Sequence, residues 1–169
     1  MRLRSSRIPH IADAMVKALT SGEAIECTRP EEVKLDVESV LNEYVRTEES
    51  ISERAKDLLA QRNLPPKDLT KIKRLVAEQQ SFKLGDEAID YILDQLVEML
   101  MYSNNVDEIF AEDYELRRRM REPLRQELVV EQQLEAQVRS RLKHVEEGGT
   151  LWEVEYRRMM DDIKRRKGL

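Results

Sequence analysis

Asp86–Leu100 reads DEAIDYILDQLVEML, and Ser5–Leu19 reads SSRIPHIADAMVKAL. The second stretch restarts the first. At an offset of 81, Ile8 aligns with Ile89, Ile11 with Ile92 and Asp13 with Asp94. Met15, Val16 and Leu19 align with Leu96, Val97 and Leu100, and Ile25 with Val106. Two extra residues then lengthen the second copy, and the offset becomes 83. Val37, Leu41, Ile51, Ala55 and Leu59 align with Met120, Leu124, Leu134, Val138 and Leu142, and Leu69 with Trp152. Most aligned positions are apolar and spaced for one face of a helix. A nearly constant offset through three consecutive segments points to a duplication.

Each copy reads as three helices. In the first, Ser5 or Ser6 is the expected cap of a helix reaching Leu19, with Pro9 near its start, where a missing N–H does least harm. TRPE, from Thr28, reads as a second start, with Thr28 as N-cap and Glu31 closing a capping box. The helix that follows carries Val37, Tyr44, Ile51 and Leu58 at seven-residue spacing, as in a coiled coil. A helix of about 32 residues spans roughly 48 Å, so an elongated molecule is expected. Pro65 and Pro66 end it, and Leu69, Ile72, Leu75 and Val76 mark a third helix. In the second copy, Asp86 is the expected cap, and a long helix runs from Asp113 to Val145. Pro123 should kink or briefly break that helix. A last helix follows Gly148-Gly149, with Thr150 and Glu153 as another capping box. There Trp152, Tyr156, Met159 and Ile163 form one apolar stripe. No segment reads as a strand.

Composition agrees with long, solvated helices: 37% of residues are charged, and Gly and Pro number five each. The net charge is −5. Residues 1–85 hold 15 Lys and Arg against 14 Asp and Glu, and residues 86–169 hold 14 against 20. Neither half is a polycation, which argues against general nucleic-acid binding. A lone cysteine, Cys27, excludes an intrachain disulfide and suits a reducing cytoplasm. Asp13 and Lys17 interrupt the apolar run near the start, so it reads as an amphipathic helix rather than a signal peptide. No run is long and apolar enough for a membrane span.

Three stretches carry a family resemblance: MRLRSSRIPHIADAMVKAL at the start, LNEYVRTEESISERAKDLL in the middle, and GGTLWEVEYRRMMDDIKRRKG at the end. Together they resemble the bacterial domain-of-unknown-function 507 family over nearly the whole chain. The ending rests on Trp152, Glu153, Tyr156, Arg157 and Arg158. The first copy lacks it, with Leu69 in place of the tryptophan. The resemblance implies a soluble helical bacterial protein and no activity.

Candidates for chemistry are few. His10 and Asp13 lie one helical turn apart, but no further metal ligand is placed by the sequence. His144 reads as a cation near a helix C-terminus. Cys27 has no histidine beside it, and no glycine pattern marks a nucleotide loop. Adjacent acids such as Glu48-Glu49 and Asp161-Asp162 read as solvated. Two basic clusters remain: Arg117, Arg118, Arg119 and Arg121, and Lys164, Arg165, Arg166 and Lys167. Either could meet the phosphates of a nucleic acid or serve only as a charged helix face. Met15, Met99, Met101, Met120, Met159 and Met160 read as core or as an adaptable groove.

The expected fold is therefore all-α, with two tandem copies of a three-helix unit, residues 1–84 and 85–169, packed in pseudo-two-fold fashion as one cooperative unit. The expected function is a non-enzymatic, cytoplasmic interaction or scaffold protein that meets a protein partner through charged helix faces. It needs no cofactor, metal or membrane, and self-association is compatible with it. The alternative is a nucleic-acid- or ribosome-associated protein using the two basic clusters. Trp152 and Tyr156 serve as core or as a partner anchor.

Overall fold

The structure is a computed structural model that describes residues 2–169. It is mainly α-helical. The order is α1 (Ile8–Ser21), β1 (Ile25–Glu26), α2 (Pro30–Gln61), α3 (Leu69–Gln79), α4 (Ala88–Tyr102), β2 (Glu108–Ile109), α5 (Asp113–Arg141) and α6 (Thr150–Lys167). Among the described residues, no helix is long and apolar enough to cross a membrane.

Periodicity explains the helices. In α1, Ile8, Ile11, Ala12, Met15, Val16 and Leu19 are buried, and in α4, Ala88, Ile92, Leu93, Leu96, Val97 and Leu100 are. Both sets follow the three-and-four spacing that puts residues on one helical face. Pro9 falls within the first turn of α1, where it forfeits no helical hydrogen bond. In α2 the buried series Val37, Leu41, Tyr44, Glu48, Ile51 and Ala55 alternates steps of four and three.

The expected caps are not used. Short 3-10 turns at Ser5–Arg7 and Gly85–Glu87 lead into α1 and α4 instead. The Ile8 and Ala88 amides donate to the Ser5 and Gly85 carbonyls, so the first turn is satisfied by backbone and not by Ser5, Ser6 or Asp86. Thr28 gives its hydroxyl to Asp107 (2.8 Å) rather than to the start of α2. Thr150 lies inside α6, whose N-cap is Gly149, with no side-chain cap bond. The expected short break at Pro123 does not occur, since α5 runs through it, but α5 stops at Arg141, short of Val145.

The unforeseen elements are the two strands. Each has only two residues, too few to show an alternating pattern. They pair antiparallel, Ile25 with Ile109 and Glu26 with Glu108. The Asp107 amide donates to the Glu26 carbonyl (2.8 Å) and the Phe110 amide to that of Ala24 (2.9 Å), which extends the joint on both sides.

The chain forms two compact units. The first takes residues 1–48 and 83–128, the second residues 49–82 and 129–169. Each draws one stretch from either half of the sequence, and both long helices contribute to each. Charge is divided between them. The first unit carries 13 Lys and Arg against 21 Asp and Glu, a net −8; the second carries 16 against 13, a net +3.

Candidate functional site

The first arginine cluster lies on α5 in the acidic unit, and its four side chains are already engaged. Arg117 pairs with Asp94, and Arg121 with Asp90 at 2.5 Å. Arg118 and Arg119 share Glu115, at 2.8 and 2.9 Å. Those two hydrogen bonds, Arg118's the stronger, hold the Glu115 carboxyl below its ordinary range against a smaller opposing effect of desolvation. Arg119 does more: its guanidinium donates to the Ala18 carbonyl (3.0 Å) in the last turn of α1 and lies over Gly22. A Cβ at Gly22 would collide with that guanidinium, so the glycine leaves room for it. A cation on the exposed carbonyls of a helix end is a favourable terminus. This face is a lattice of ion pairs that also caps α1.

The second cluster occupies the last turn of α6 in the basic unit. Gly168 follows it with φ +68, the left-handed conformation that ends helices. Arg165 lies 3.8 Å from Asp162, a loose pairing. Arg166 and Lys167 face an open groove with Ile163 and, from α5, Gln137, Ser140 and Arg141. Arg141 lies outside both basic runs and joins the groove only through the fold. No carboxylate lines the groove.

Trp152 and Tyr156 lie against the core of the second unit. With Met159 they are partly buried against Leu134, Val138, Leu142, Met160 and Ile163. Their rings are 5.7 Å apart and tilted by 36°. Lys56 pairs with Glu153, tying α2 to the first turn of α6. The loop before α6 closes on Gly148, with φ +86, where a Cβ would meet the Pro66 carbonyl oxygen at 2.7 Å. Met15, Met120 and Met160 are buried, while Met101 is exposed.

Other groups fall outside any chemistry. His10 is exposed, and Asp13 pairs with Lys17 (2.8 Å), whose hydrogen bond chiefly lowers its pKa. Among the described residues, no group of three His, Cys, Asp or Glu is arranged to hold a metal ion. His144 is exposed just beyond the end of α5. Burial pushes the Cys27 thiol up, and Asp107 and Glu31 add to that, the opposite of an activated nucleophile.

Two features escaped the sequence reading. Glu48 is buried, not solvated, and so are Glu127 and Glu131. Each falls on the apolar stripe of its long helix, and that register was the available signal. Arg7 donates to Glu127 through both Nε (2.8 Å) and a terminal nitrogen (3.2 Å). The other feature is a run of exposed aromatics: Tyr102, Phe110 and Tyr114 are 81%, 58% and 71% exposed. Between Tyr102 and Glu115 the chain has five carboxylates and no Lys or Arg.

No curated protein matches the chain. A family model described as a protein of unknown function, DUF507, matches residues 1–169. The match takes in the opening, middle and closing segments whose resemblance pointed the same way. The chain belongs to the DUF507 family.

Proposed function

We propose that this protein is a non-enzymatic binding protein that docks a basic segment of a protein partner on its acidic unit. The observation that carries the reading is the exposure of Tyr102, Phe110 and Tyr114 within a stretch whose charges are all negative. Apolar patches left in water mark interaction sites. Aromatic faces and carboxylates both attract Arg and Lys side chains. The net charge of −8 on this unit steers such a partner toward it. The lone Cys27 fits a reducing cytoplasm.

The test is affinity purification in mild salt with the wild-type chain and with a Tyr102→Ser/Phe110→Ser/Tyr114→Ser variant. A stoichiometric partner with a Lys/Arg-rich segment, released by salt and lost from the variant, is the expected result. Identical recovery by both proteins rejects this surface. A concentration-dependent dimer lost in the variant would make the occupant a second copy instead.

We further infer that the chain is two copies of one three-helix unit in pseudo-two-fold relation. Nine of the aligned pairs are buried in both copies, from Ile11 with Ile92 to Leu59 with Leu142. At the offset of 83, buried Glu48 also corresponds to buried Glu131. The strands β1 and β2 are separated by the same offset, and each first residue pairs with the other's second. That reciprocity is what a two-fold axis produces.

A further inference from the structure

In the groove between α5 and α6 of the basic unit, cations gather with no carboxylate among the lining residues. Arg141 comes from the last residue of α5, and Arg166 and Lys167 from the last turn of α6. Gln137 and Ser140 add neutral hydrogen-bonding groups on the α5 side. We propose that this groove holds the phosphodiester backbone of a nucleic acid.

The helix dipole favours cations in the last turn of each helix separately. It gives no reason for three of them to converge on one groove, where they repel one another. The first cluster shows the alternative, since its arginines are matched by Asp90, Asp94 and Glu115. In the groove that match is missing, and a bound anion supplies it.

The form of the anion follows from what else is present. Sites for a single phosphate are commonly built from the amides of a helix N-terminus or a backbone nest. Here both helix ends are C-termini, so a lone phosphate gains little. A chain of phosphates adds several such weak contacts. No aromatic residue lines the groove, so bases are not stacked there, and contact is with the backbone regardless of sequence. The unit's net +3 attracts a polyanion, whereas the first unit's −8 limits how tightly the whole chain holds it.

The test is fluorescence anisotropy of a labelled single-stranded RNA oligonucleotide of mixed sequence, with the full chain. If three cations displace counterions, the slope of log K against log salt is about −2, so raising salt from about 50 to about 200 mM weakens binding about 20-fold. Arg166→Glu/Lys167→Glu and, separately, Arg141→Ala should each weaken binding at least several-fold and flatten the slope. Arg117→Ala/Arg121→Ala should leave both unchanged. All five positions are on the surface, and an unchanged thermal melt checks that each variant folds. Absence of binding by the wild type, or equal binding by the groove variants, overturns the proposal. Binding to phosphatidylserine vesicles but not to RNA also overturns it and assigns the groove to a lipid surface.

Discussion

Arg118 and Arg119 are adjacent in sequence and share Glu115, yet they face different surroundings. Arg118 is 73% exposed and only decorates the helix, whereas Arg119 also binds the Ala18 carbonyl that ends α1. Arg119→Ala should therefore lower stability by about 1 kcal/mol in urea titrations. Arg118→Ala should leave the midpoint within error, as exposed ion pairs usually do. Equal losses would refute the capping role. Tyr44 offers a residue with a pH signature. Its hydroxyl donates to the Lys83 carbonyl (3.0 Å), and its ring lies 6.1 Å from that of Tyr91. Burial, then Glu48 and then Tyr91, push the phenol well above its ordinary value of 10.0. The folded state thus holds this proton more firmly than the unfolded state does. The resulting stability is complete below the unfolded value near 10 and is lost as pH rises through the folded one. At neutral pH, Tyr44→Phe should cost about 0.5–1.5 kcal/mol for the missing hydrogen bond. The gap between the two proteins should narrow in unfolding titrations above pH 10, where only the wild type must keep a phenol protonated. A gap that stays constant through the alkaline range would show that Tyr44 does not titrate in this way.

At the scale of elements, the two long helices differ most at Pro123. The proline leaves the Arg119 carbonyl without its usual helical donor, yet α5 continues through the position. Pro123→Ala restores the donor and should raise stability by about 1–3 kcal/mol, read as a higher denaturation midpoint. A lower midpoint would mean that the proline's shape is needed by its neighbours. Trp152 tests the seating of α6. It is only partly buried against the core of the second unit, so Trp152→Ala should cost about 1–3 kcal/mol, less than the roughly 3–5 kcal/mol of a full core site. Its fluorescence should be blue-shifted and move red only on unfolding; a red emission in the folded chain would reject the packing. The helices themselves were legible because α1, α2 and α4 bury one face with a regular period. Their starts were not, because backbone 3-10 turns satisfied the amides that Ser5 and Asp86 were expected to satisfy. Glu48, one of an adjacent acidic pair, reads as solvated, but its position between Tyr44 and Ile51 puts it on the apolar stripe of α2. The groove was half legible: Arg166 and Lys167 form part of a run, but Arg141 joins them only through the packing of α5 on α6.

At the scale of the whole molecule, the division of charge shows why a linear reading misses much of the surface. Cut at its midpoint, the sequence gives halves of +1 and −6. Folded, it gives compact units of −8 and +3, because each unit collects one stretch from either half. The same interleaving sets the cooperativity of folding. In the first unit, β1 pairs with β2, Arg7 with Glu127, and Asp36 receives hydrogen bonds from Ser103 (2.5 Å) and Asn105 (2.9 Å). In the second, Lys56 meets Glu153, and Gly148 lies against Pro66. Every one of these joins residues 1–84 to residues 85–169. A chain divided between 84 and 85 would keep its helical sequences but lose the partners of their apolar faces, and helices without tertiary packing are marginal in water. Each half alone should therefore show reduced helicity and a broad, non-cooperative melt by circular dichroism. Mixed in equal amounts, the halves should form a one-to-one complex on a sizing column and regain a sharp transition whose midpoint rises with concentration. If residues 1–84 alone melt cooperatively at the midpoint of the full chain, the two copies are independent domains, and the interleaved core does not govern folding.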